Sequence, residues 1–270
     1  PEEERTSWQL YKKHLKSGDF SEEAIENIEE SCVKILKQLS KDTVESGPIK
    51  GLVVGNVQSG KTANMAGLMA MAADWGWNMF IVLSGTIENL RKQTQNRLYG
   101  DLNHAGNLVW TQFDHLSKKK SPIGQRLCDL QLQPDSPMRY MSVCLKVKSR
   151  LNDLIDWIEA DTQNIQNLKV LVIDDEADQA GINTGDVYSD DDRKTINRLI
   201  LNLVHCRDKN AENDKTNTYK SHYQAMNYIS YTATPYSNCL NEMGDQTLYP
   251  KNFIHTLSVS RSYFGPQRIF

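Results

Sequence analysis

Five short apolar runs, set apart by stretches of helical character, constrain this chain more than any other feature. They are GLVVG (51–55), MFIVLSG (79–85), NLVWTQ (107–112), KVLVIDD (169–175) and MNYISYTATP (226–235). Each is too short for a helix, and most are continuously apolar rather than alternating, the pattern of strands buried on both faces. Between them, SGKTANMAGLMAMAADWG (59–76), TIENLRKQTQNRL (86–98), SRLNDLIDWIEA (149–160) and RKTINRLILNLVHC (193–206) read as helices. Strands that alternate with helices predict an α/β fold with a mostly parallel sheet covered on both faces. Residues 114–142, with SKKKSP and LQPDSP, read as an irregular loop.

Residues 1–48 read as a helical extension ahead of the α/β domain expected over 49–270. Ile25, Ile28, Cys32, Ile35 and Leu39 recur at helical spacing, Ser21 is a natural N-cap, and Gly47-Pro48 ends the run. Hydrophobic residues at 39% and charged residues at 24% suit a packed core rather than disorder. A net charge of −3 excludes a generally basic binder but leaves room for a local basic groove. The five cysteines form no CxxC pair, which predicts reduced thiols, no zinc site and a cytoplasmic setting. No run approaches the ~18 apolar residues of a membrane span. A chain that opens on Pro1 is expected to be a fragment or a processed form.

The first strand runs into Gly55-Asn56-Val57-Gln58-Ser59-Gly60-Lys61-Thr62, which satisfies GxxxxGK[ST]. Its glycines let backbone amides turn inward onto phosphate oxygens, and the next helix adds the positive end of its dipole. Lys61 is placed to reach the β- and γ-phosphates and the Thr62 hydroxyl to ligate Mg, which makes ATP with Mg the expected cofactor. No NKxD guanine-reading motif occurs.

KVLVIDDEAD (169–178) is an apolar strand ending in acids, where a metal-holding carboxylate belongs. Asp175 is the candidate metal ligand, Glu176 the candidate for polarising the attacking water, and Asp174 the structural acid. In YISYTATPYSN (228–238), Thr232 and Thr234 are candidates for coupling nucleotide state to motion; the other reading is an ordinary turn. On the helix after the second strand, Arg91, Gln93, Thr94 and Arg97 are either phosphate contacts or a solvated face.

A P-loop, then DEAD, then a strand with TATP resembles the first RecA-like domain of superfamily-two helicases and translocases. VGNVQSGKTANMAGLM, LSGTIENLRKQTQNRL, LVIDDEADQAGINT and YTATPYSNCLNE together resemble the Z-one domain family of putative endonucleases, from about residue 50 onward. That resemblance implies a DNA-acting ATPase, MORC-like ATPase or nuclease partners, and a role in bacterial DNA handling or phage defence. It also implies a second RecA-like domain beyond this chain, and so slow hydrolysis by this portion alone. Gln58, where most helicases carry a small residue, is shared with the Z-one pattern. No D…(D/E)xK arrangement at a strand end and no HNH cluster is present to carry nuclease chemistry. Two other functions stay open: an ATP-gated assembly module without motor activity, and a component of a DNA endonuclease.

Overall fold

The computed structural model describes residues 6–18, 20–55, 60–103, 109–175, 190–207, 210, 222–235 and 247–258. Its frame is a seven-stranded sheet: β1 (Ile49–Val54), β2 (Met79–Ser84), β3 (Trp110–Phe113), β4 (Arg139–Leu145), β5 (Lys169–Asp175), β6 (Ala225–Thr232) and β7 (Phe253–Thr256). The spatial order is β3-β4-β2-β5-β6-β1-β7, and every pairing is parallel. The helices are α1 (Ser7–Ser17), α2 (Glu22–Leu36), α3 (Lys61–Asp74), α4 (Glu88–Leu102), α5 (Lys148–Glu159) and α6 (Asp190–Val204).

The direction of each connection explains which face each helix covers. Crossovers between parallel strands are right-handed, so connections that run in opposite directions along the sheet must lie on opposite faces. From β1 to β2 and from β2 to β3 the chain moves one way, and α3 and α4 share one core with α1 and α2. From β3 through β4 and β5 to β6 it moves back, and residues 114–138, α5 and α6 build the other core. The fold is α/β and RecA-like, a parallel sheet with helices on both faces.

α1 and α2 are packed into the first core. Tyr11, Cys32 and Ile35 are fully buried there, and eleven residues of α3 are buried. Gly67 of α3 allows this approach, because a Cβ there would lie 3.1–3.2 Å from Cys32, Ile28 and Trp8. Thr6 and Ser21 cap the two helices by accepting the amides of Gln9 and Ala24.

Two strands depart from the sequence reading. β4, RYMSVCL, lies in and just beyond the span read as loop; it is buried on both faces, yet Arg, Ser and Cys break its apolar run. Among the described residues β7 is a four-residue edge strand paired only with β1, and Phe253 lies so close over Gly51 that a Cβ there would meet the ring at 2.2 Å. Among the described residues, no helix is long and apolar enough to cross a membrane, and the four cysteines form no disulfide.

Candidate nucleotide site at the carboxyl edge of the sheet

In a parallel sheet all carboxyl ends lie on one edge, and ligands collect where connections depart to opposite faces. β1 departs over the α3 face and β5 over the other, with β6 between them. Val54 pairs with Thr232 and Asp175 with Tyr231, so the two strands reach the edge together. The amide of Gly55 donates to the carbonyl of Thr232 at 3.0 Å, holding the first residue of the phosphate-loop motif to β6. Two interstrand steps separate β1 from β5, about 10 Å, room for a metal and phosphate between loop and carboxylate.

Gly60 is the N-cap of α3 at φ +74° and ψ 23°, a left-handed conformation that glycine adopts without strain. A Cβ there would meet nothing within 4 Å, so the backbone conformation, not crowding, favours glycine. No side chain caps α3, and its first helical bond is Asn64 to the Gly60 carbonyl at 2.9 Å. The amides of Lys61, Thr62 and Ala63 precede that bond and have no partner within the helix, the arrangement that attracts an anion. Lys61 and Thr62 are half-buried at this end. Gln58, Ser59 and Glu176 lie outside the described residues.

The two acids of β5 separate by strand parity. Leu171 and Ile173 face the α3 core, whereas Val170 and Val172 face the other. Asp175 therefore continues the row on the α3 side, half-buried, and its charge helps raise the pKa of buried Tyr231, an effect led by desolvation. Asp174 is buried on the opposite side. Its Oδ1 takes Lys146 Nζ at 2.8 Å and its Oδ2 the Tyr228 hydroxyl at 2.6 Å. Burial first, and Asp174 second, push the Tyr228 pKa well up, so the phenol keeps its proton and donates. Among the described side chains, an α3 N-terminus with no side-chain cap and an acid on the α3 face suit a nucleotide with a divalent cation.

Thr232 is fully buried, and its Oγ1 accepts the amide of Thr234 at 2.9 Å, a local turn bond; Thr234 is exposed. A longer network runs beside it, and the sequence reading missed it. The Tyr231 hydroxyl donates to Asn64 Oδ1 at 2.9 Å, and Asn64 Nδ2 donates to Ser31 Oγ at 3.2 Å. Ser31 Oγ lies 2.8 Å from His255 Nε2. Which of the two donates is set by the imidazole tautomer, since the Ser31 hydroxyl can accept a second bond beside that from Asn64 or give its own proton. Tyr11 donates to the carbonyl of Ala63 at 3.1 Å, and Cys32 to that of Asn64 at 3.4 Å. Strand β6, the first turn of α3, the N-terminal helices and β7 are thereby joined through one set of polar groups, buried except at half-buried His255.

One expected nucleic-acid contact needs correction. Arg91 is fully buried, and its guanidinium donates to Glu88, Gln95, Asp114 and the Val143 carbonyl, so it has no surface to offer a phosphate. Glu88, Asp114 and His115 come within 4.8 Å of one another, but Arg91 already answers both carboxylates. The Arg91 hydrogen bond holds the Glu88 pKa below its usual value, and burial, then Arg91, lowers that of His115. Gln93 and Arg97 are exposed and Thr94 half-buried, so these three remain on the solvent side of α4.

No protein-family model matches the chain, and no curated protein does. The Z-one resemblance thus rests on its motifs alone. Among solved structures, the chain is similar to the Sulfolobus solfataricus SWI2/SNF2 ATPase core in complex with double-stranded DNA. Identity is 11% and the TM-score 0.43, over 86% of this chain and 36% of that one. It is also similar to the DUF1998 helicase MrfA bound to DNA, at 12% identity and a TM-score of 0.48, over 92% of this chain and 29% of that one. The chain spans about a third of the length of these structures.

Proposed function

We propose that this chain is the ATP-binding and hydrolysing core of a helicase- or translocase-like protein acting on nucleic acid, with DNA as the favoured partner. The observation that carries the reading is the carboxyl edge around β6. The phosphate-loop strand ends on one side of it, Asp175 ends on the other, and an α3 N-terminus with no side-chain cap faces the gap. Gly55, Gln58, Ser59, Gly60, Lys61 and Thr62 would bind the phosphates, and Thr62 with Asp175 would hold Mg. The metal supplies charge neutralisation at the transferred phosphoryl group. Lys61 stabilises the same charge, and Glu176 orients water. Thr232 and Thr234, at the end of β6, would pass the nucleotide state to a second RecA-like domain. Gln93, Thr94 and Arg97 are the proposed backbone contacts on α4.

Hydrolysis of ATP by the longer protein, with and without single- and double-stranded DNA, tests this reading. DNA should stimulate turnover, and both Lys61→Ala and Glu176→Gln should abolish it. ATP binding with no turnover under any condition would sink the motor. That result would favour the second reading, an ATP-gated assembly module. The bonds from Tyr11, Ser31 and Cys32 to the first turn of α3 support it, because they tie the N-terminal helices to the nucleotide end of that helix. A role in phage defence and a nuclease partner belong to the Z-one resemblance. Metal-dependent DNA cleavage that survives Lys61→Ala would point to intrinsic nuclease activity instead.

A further inference from the structure

Lys146 follows directly on β4 and carries a buried ammonium that the proposed chemistry does not yet use. Its backbone amide is shared between the carbonyls of Ser84 and Gly85 at 3.1 and 3.2 Å, which anchors it at the end of β2. From there its side chain reaches past β2 to β5, donating from Nζ to Asp174 Oδ1 at 2.8 Å and to the Asp175 carbonyl at 2.8 Å. The Lys146 and Asp174 side chains are only 3% and 5% exposed, so water does not compete for these bonds. Asp174 is held from its other side by Tyr228 at 2.6 Å.

The bond to the carbonyl matters most. That oxygen belongs to Asp175, the last residue of β5. Pairing of β5 with β2 runs to Asp174, and the Lys146 ammonium holds the carbonyl of the residue that follows. Fixing a peptide plane fixes the direction of the residues on both sides of it. A buried ion pair alone gives little net stability over an apolar pair of similar size, but an apolar pair could not hold the carbonyl.

We propose that Lys146 is a positioning residue of the hydrolysis site. Its ammonium, held by Asp174 and Tyr228, locks the Asp175 carbonyl at the end of β5 and so sets the direction of the metal-holding carboxylate. This rests on the ATPase reading above.

The test uses the full chain, fluorescent ATP titrated with Mg and with EDTA, and thermal unfolding. Lys146→Met alone leaves Asp174 buried without its cation and should lower the unfolding midpoint. Lys146→Met with Asp174→Leu removes the unpaired charge but leaves the Tyr228 hydroxyl without that acceptor, so it should recover only part of that midpoint. Because neighbours that orient metal ligands carry about 10- to 100-fold in metal affinity or activity, the double variant should still lose about tenfold or more of the Mg enhancement of ATP affinity. Its affinity in EDTA should stay within about threefold of wild type, since the phosphate loop is untouched, and Lys146→Arg should recover part of the loss. A double variant that folds cooperatively and keeps wild-type Mg enhancement overturns the proposal and leaves the ATPase reading standing. Absence of Mg-enhanced ATP binding in the wild-type chain overturns both.

Discussion

Asn64 follows the phosphate-loop motif by two positions and shows how much one side chain can join. Its carboxamide accepts from Tyr231 and donates to Ser31 and Cys32, all within the core. Asn64→Ala strands a buried phenol and should lower stability by about 1–3 kcal/mol, measured by denaturant unfolding. His255, at the far end of the same network, has its pKa lowered mainly by burial and further by Lys34. For a base whose folded value is depressed, the stabilising contribution is complete above the unfolded value, about 6.5, and is lost as pH falls through the folded value. Unfolding midpoints should therefore drop on acidification below about pH 6.5, and His255→Gln should flatten part of that drop. On α4 the two arginines should behave oppositely. Arg97→Ala should weaken DNA binding and reduce its salt slope by about 1. Arg91→Leu should destabilise the fold, because Gln95 and the Val143 carbonyl lose a buried donor.

At the scale of elements, close packing sets the tolerances. Gly51→Ala on β1 would drive a methyl group into the Phe253 ring, and overpacking of this kind costs about 1–3 kcal/mol. The loss should fall first on β7, and hydrogen exchange of the β7 amides should report it ahead of global unfolding. β1, β2, β5 and β6 were legible because each is a run of apolar or aromatic residues between helical stretches. β4 was not, because a strand in the sheet interior has no alternation to show, and its Arg139 and Ser142 interrupt the run. β7 was too short, and its alternating half-exposed pattern is that of many surface loops.

At the scale of the molecule, the N-terminal helices and the sheet form one core. Trp8, Tyr11, Leu15, Ile25, Ile28 and Ile35 are buried against the group that includes α3. Each such side chain contributes about 1.5–3 kcal/mol on burial, so the six together rival the whole stability of about 5–15 kcal/mol typical of a domain. A protein lacking residues 1–48 should lose cooperative unfolding and self-associate, which circular dichroism and gel filtration would show. Cooperative unfolding of that shortened protein would mean that the α/β portion stands as a separate domain.

The sequence by itself determined the α/β class, the phosphate-loop motif and the acids at the end of β5. Local periodicity, glycine placement and chain adjacency encode all three. Tertiary structure alone decided that Arg91 is an internal tie, that Lys146 meets Asp174 across 28 positions, and that Tyr231 meets Asn64 across 167. An exposed arginine and a buried one occupy the same helical pattern. Only the order of strands in the sheet brings distant polar groups within hydrogen-bond reach, and burial then makes each such bond costly to lose.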